Sequence, residues 1–408
     1  MLDMNIPFKI WEPAAAGFAA VFFCALLAIA PPAEAGTEIG KTLSGNYLAG
    51  RHAQTKRDLS AAADFLGAAL NKAPESPNLV RRTFVLMIVE GRIREAETLA
   101  RQLVDLKPKE AVAHLTLAVI DIKQRRYEQA DKRLKGMPDK GLIGFVAPVL
   151  RAWSLLGQKK NREAMKILKA PAKHKATRIL HTMHSALISE LLGQNEDAEK
   201  FYSKVQREQT DLSLRVAQLL GALYERTGKK DQARALYEKY LLDHPDSQLL
   251  DGALSRLKAG GGATLKTFSV SDGAAEVMFG IASSLRQQNA QETALMLGRL
   301  ALYLKPQFPV MQILLGDILE TANRLETALG VYQSIRRTSA FSWPARLRVA
   351  SILGRIKRIE DAIQHLKAMA EDRSGDPGPL ISLGDILRGQ ERFSEAVEAY
   401  EGAFGQIQ

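Results

Sequence analysis

A chain of 408 residues with 46% hydrophobic and 25% charged residues has the composition of a soluble globular protein, which excludes a disordered one. The net charge of +11 invites a nucleic-acid reading, but the excess is confined: residues 123–178 hold 16 Lys/Arg against 4 Asp/Glu, and the remainder is close to neutral. No aromatic-rich basic stretch accompanies that segment, so base stacking, and nucleic acid as a partner, are set aside.

Residues 1–35 read as a secretory signal peptide. Ala14–Ala30 is an uninterrupted apolar run, Pro31-Pro32 breaks it, and Ala33-Glu34-Ala35 offers a small-x-small cleavage site. The alternative is a retained anchor, because the run is at the lower edge of spanning length. The chain is therefore expected in the periplasm of a Gram-negative envelope, either exported with its signal cleaved or anchored in the inner membrane and facing the periplasm. The one cysteine, Cys24, lies inside the apolar run, so a mature chain would have no disulfide.

From Leu43 onward a small residue keeps time. Ala62, Ala96, Ala130, Ala164 and Ala198 are 34 apart, Ala233 follows at 35, and Ala294, Ala328, Ala362 and Ala396 are again 34 apart. Leu214–Ser247 is the cleanest unit. There Leu220-Gly221 lets two helices approach, Tyr224, Ala233, Tyr237 and Tyr240 form a large-into-small contact, Gly228 makes the turn, and Pro245 ends the unit. The pentapeptide LGDIL recurs at Leu315–Leu319 and Leu383–Leu387, with Leu and Gly as packing positions and Asp facing solvent. The fourth unit, around Phe145–Pro171, is distorted by Pro148.

These residues resemble the tetratricopeptide pattern L-G-x-x-Y … A-x-x-x-F/Y … P, and the resemblance covers Leu43 to the C-terminus. It implies an all-α fold, a right-handed α-solenoid of about ten helix-turn-helix units. Six repeats with a capping helix (Gln248–Lys258) span 43–258, a Gly/Ser-rich linker spans 259–274, and four repeats span 275–408. GGGATLKT in the linker lacks the glycine that a phosphate-binding loop needs directly before its lysine, since Leu265 precedes Lys266. His181 and His184 share one helix face near His174, yet no carboxylate or cysteine completes a metal set and the neighbours are basic, so these are read as structural. No nucleophile elbow, HExxH or paired-carboxylate motif is present; no enzyme, cofactor or metal is expected.

The resemblance further implies that first helices line a concave face at unit positions 2, 5, 9 and 12. Repeats three to five then present an apolar stripe of Val112, Leu115, Val119, Ile122, Val149, Trp153, Met183 and Leu187, whereas later units present Gln218, Glu225, Asp317, Glu320, Asp385 and Arg388. Exposed contiguous apolar surface marks an interaction site, so the expected function is a non-catalytic scaffold of the cell envelope holding a protein or peptide on that stripe. The competing expectation is that a tight superhelix or the N-terminal segment covers it. An alternative function is a structural part of a polysaccharide-export or outer-membrane assembly complex. It would touch anionic polysaccharide or a membrane surface through Lys159, Lys160, Arg162, Lys166, Lys173 and Lys175. Val397, Tyr400 and Phe404 of the last unit have no capping helix after them, which points to self-association, a partner, or a longer array.

Overall fold

The computed structural model describes residues 39–170, 175–263 and 268–406. The leader call at 1–35, Lys173, His174 and residues 264–267 of GGGATLKT lie outside the described residues. The described residues hold 21 α-helices, one 3-10 turn at Gln248–Leu250 and no strand. The first six pairs are α1 (Leu43–Thr55) and α2 (Leu59–Leu70), α3 (Pro77–Val89) and α4 (Ile93–Leu106), α5 (Ala111–Lys123) and α6 (Tyr127–Lys135), α7 (Gly141–Gly157) and α8 (Asn161–Leu168), α9 (Lys175–Leu191) and α10 (Asn195–Glu208), α11 (Leu214–Arg226) and α12 (Lys230–Asp243). A single short helix, α13 (Asp251–Lys258), follows. Four more pairs complete the array: α14 (Val270–Gln287) and α15 (Gln291–Leu304), α16 (Pro309–Thr321) and α17 (Leu325–Gln333), α18 (Ser342–Arg355) and α19 (Ile359–Asp372), α20 (Gly378–Gly389) and α21 (Phe393–Gly405).

The turn inside each pair has one conformation, used ten times. Five residues before every phase-marking alanine the backbone has positive φ: Arg57, Gly91, Arg125, Lys159, Gly193, Gly228, Asn289, Asn323, Lys357 and Glu391, all between +57° and +79°. The next residue's N–H then reaches back to the carbonyl five positions earlier, as in Arg92 to Met87 (2.8 Å) and Arg324 to Leu319 (2.8 Å). That bond satisfies an orphan carbonyl at the end of the first helix and reverses the chain. Glycine was expected at such a turn, yet seven of the ten positions are L-residues that accept the left-handed strain.

The period holds because of packing. Nine of the ten alanines have no exposed surface and Ala396 almost none. In three repeats a ring presses on a glycine sixteen residues earlier. A Cβ built on Gly221, Gly316 or Gly384 would fall 2.2–2.5 Å from the ring of Tyr237, Tyr332 or Tyr400. The tyrosine hydroxyl donates to a first-helix carboxylate: Tyr237 to Glu225 (2.7 Å), Tyr332 to Asp317 (2.6 Å), Tyr400 to Asp385 (2.9 Å). The aspartate of LGDIL is therefore a tyrosine acceptor as well as a rim residue. Pro148 sits within α7, which continues through it to 17 residues.

Consecutive first helices touch one another (α5 with α7, α7 with α9, α14 with α16, α18 with α20), and no consecutive second helices make a comparable contact among the described residues. First helices thus line the inner side of the curve. The inner side of the first block is not empty. α14 lies against α5, α7 and α9, and α15 lies against α3 and α5.

Candidate partner-binding surfaces

The apolar stripe of repeats three to five is interior. Leu115, Val119, Ile122, Val149 and Trp153 are fully buried, Leu187 is buried, and Val112 and Met183 are half-buried. The expectation of an open partner site there is corrected: the groove is filled by the chain's own α14 and α15. Apolar residues line an occupied groove for the same reason that they would line an open one, so the residue types alone could not tell the two apart.

The filling is specific. Gly273 on α14 lies under the Trp153 indole, and a Cβ there would come within 2.3 Å of the ring. Phe268 adds a second ring, 5.9 Å from Trp153 between centroids. The indole Nε1–H donates to Nδ1 of His184 (3.1 Å), which fixes that imidazole as neutral with its proton on Nε2. Burial, with His181 beside it, pushes the His184 pKa down to about 3. His184 is therefore a buried element of the joint, and His181 is buried beside it, against the Leu168 backbone.

Charges pin the same joint. Arg215 on α11 makes a bidentate pair with Glu276 on α14, which is buried. Lys305 lies 3.6 Å from Glu276 and 4.5 Å from the Phe308 ring centroid; burial holds its pKa below the usual lysine value. Lys123 donates to the Leu304 carbonyl (2.7 Å), Arg299 to the Val89 carbonyl (2.9 Å), and Arg324 to Glu90 (2.5 Å). At the other end of the first block, Glu225 is buried and clasped by Arg256 of α13 at 2.8 Å through both oxygens. Glu225 was expected on an open face; it belongs to the cap.

The signal that sequence reading passed over is the composition of α14. Gly273 through Met278 are six consecutive buried residues, and Ile281 and Ala282 follow. All but Glu276 are apolar or small, a composition that suits close packing against the first block. Glu276 is buried because Arg215 and Lys305 pair with it, and the helix keeps an exposed side at Gly280, Ser284 and Arg286.

The inner face of the second block remains accessible. At the unit position occupied in the first block by Leu115, Val149 and Met183 stand Phe279, Ile313, Leu347 and Ile381, again 34 apart. The first three are half-buried, and Ile381 is 41% exposed. Ion pairs flank them: Arg286 with Asp317 (3.7 Å) and Arg355 with Glu320 (2.5 Å) bridge neighbouring repeats, and Arg388 pairs with Asp385 (3.2 Å) within α20. The rim is thereby close to neutral and the floor apolar. Gln218, also assigned to an open face, is half-buried and accepts from Arg215.

Lys159, Lys160, Arg162, Lys166 and Lys175 are exposed, at the α7–α8 turn, along α8 and at the start of α9. On α21, Phe393, Val397 and Phe404 are more than half exposed, while Tyr400 is half-buried. No helix among the described residues is long and apolar enough to cross a membrane, and none of their His, Cys, Asp and Glu side chains form a metal-holding group.

Two family models, both described as tetratricopeptide repeat, match residues 88–141 and 217–247. Among solved structures, the chain is similar to PilW, a type IV pilus biogenesis factor (16% identity, 53% of this chain and 99% of that one, TM-score 0.41). It is also similar to YrrB, a tetratricopeptide protein with an unusual peptide-binding site (17% identity, 50% and 91% coverage, TM-score 0.29), and to yeast Tom70 (14% identity, 88% and 91% coverage, TM-score 0.28). No curated protein matches.

Proposed function

We propose that this tetratricopeptide-repeat protein is a non-catalytic scaffold of the bacterial cell envelope, whose partner protein or peptide binds the inner face of repeats seven to ten. Interaction scaffolding is what such repeats supply in general. The observation that carries the finer reading is the occupied groove. The first block spends its inner face on α14 and α15, and the equivalent positions of the second block, Ile313, Leu347 and Ile381, keep apolar surface in reach of a partner. The periplasmic location rests on the leader sequence at 1–35.

A photo-crosslinking residue at Leu347 or Ile381, introduced into the full chain in cells, should give a discrete adduct. The same residue at Leu115 should give only intramolecular linkage. Adducts from neither 347 nor 381, with the protein folded, would overturn the placement. The exposed α21 face supports a second copy or a partner helix there, which sedimentation of the purified chain checks.

The anionic-contact reading is supported by a different observation: Lys159, Lys160 and Lys175 are exposed and make no ion pair among the described residues.

A further inference from the structure

Between α8 and the start of α10 lies a groove of about 740 Å³. Its floor includes Met165 and Leu192, both half-buried, and one wall is formed by Arg162, Lys166 and Lys169. The three cations recur at i, i+4 and i+7, so they share one side of the helix. Asp197 at the far end is paired with Lys200 (3.5 Å), and Glu163 is the one carboxylate on α8 itself.

None of the three makes an ion pair among the described residues, which is also true of Lys159, Lys160 and other lysines of the first block; what marks them is that all three line one side of a single groove, whereas several other cations are paired. Arg92 pairs with Asp64 and Glu95, Arg126 and Arg133 with Asp121, Arg151 with Asp131, and Lys229 with Glu199. Favourable placement on the helix dipole accounts for Lys166 and Lys169 near the C-terminal end but not for Arg162 in the first turn, where a cation is disfavoured.

We infer that this groove binds an acidic peptide segment that also carries apolar side chains. Two features of the groove select that occupant. The unpaired cationic wall calls for carboxylates. The apolar floor calls for side chains that reach into a concavity, which a planar anionic bilayer cannot do and an anionic polysaccharide does not have. Met165, with its flexible thioether, adapts to such side chains without a fixed shape. The site is on the outer side of the array and is independent of the inner face of the second block.

The test uses the full chain and a fluorescein-labelled peptide of alternating glutamate and leucine pairs, read by anisotropy at low and high salt. Poly-L-glutamate and phosphatidylglycerol vesicles are the comparison ligands. The peptide should bind most tightly. The double variant Arg162→Glu, Lys166→Glu should weaken it by about tenfold or more, and Met165→Gln should weaken the peptide while leaving poly-L-glutamate unchanged. Arg162 and Lys166 are exposed, so the double variant should keep its melting temperature; Met165 is half-buried against the core, so Met165→Gln is compared well below its melting temperature, and Leu347→Asp should leave peptide binding intact. Equal binding of poly-L-glutamate or vesicles, no binding of the peptide, an unchanged affinity in the double variant, or loss in Leu347→Asp would each overturn the assignment.

Discussion

Trp153 and Gly273, 120 residues apart, meet so closely that the indole occupies the space where a side chain at 273 would begin. Gly273→Val should therefore force the joint between the blocks apart, costing roughly 1–3 kcal/mol. Trp153→Ala should leave a cavity under α14 and cost roughly 3–5 kcal/mol. Chemical denaturation measures both. Retained stability in either variant would mean that α14 does not fill the groove in solution.

Within a repeat, Gly316→Ala should also destabilise, by roughly 1–3 kcal/mol, because the new methyl would meet the Tyr332 ring. Replacing Ala328, which has no exposed surface, by leucine should do the same. Tyr332→Phe is the milder change: it removes the hydroxyl bonded to Asp317 and should cost about 1 kcal/mol.

Acid should loosen the joint through His184. Folding holds this imidazole neutral down to about pH 3, whereas in the unfolded chain it takes up a proton near its ordinary value of 6.5. Between those values the unfolded state binds more protons, so stability falls as pH drops from 6.5 towards 3, by about 1.4 kcal/mol per pH unit from this group at most. Stability curves over that range should be flatter for His184→Asn than for the wild type.

The left-handed turns make a paired prediction. Gly228 has φ of +79°, so Gly228→Ala should cost about 1 kcal/mol. Lys357 is exposed at φ +67°, so Lys357→Gly should be neutral or stabilising, by up to about 1 kcal/mol. Thermal melts of the two variants moving in the same direction would mean that backbone strain is not what sets the turn.

Reversing the apolar character of the second block's inner face should separate binding from folding. Leu347 is half-buried and flanked by exposed Arg348 and Ser351, so Leu347→Asp should abolish the crosslink at Ile381 with a loss of stability of about 1 kcal/mol. Loss of helicity in that variant would show Leu347 to be core.

The sequence by itself determined the repeat: helix pairs, their turns, their large-into-small contacts, and the interruption after α13. It could do so because everything that closes a repeat is local. Gly316 finds Tyr332 sixteen residues on, and Ala328 marks the same step in every unit. Only the tertiary structure decided which face is free. Trp153 with Gly273, Arg215 with Glu276 and Glu90 with Arg324 join segments 61 to 234 residues apart, and no period relates them. The stripe from Val112 to Leu187 is apolar whether its cover is a partner or α14. The hydrophobic effect fixes that such surface is buried and leaves to the path of the chain what buries it.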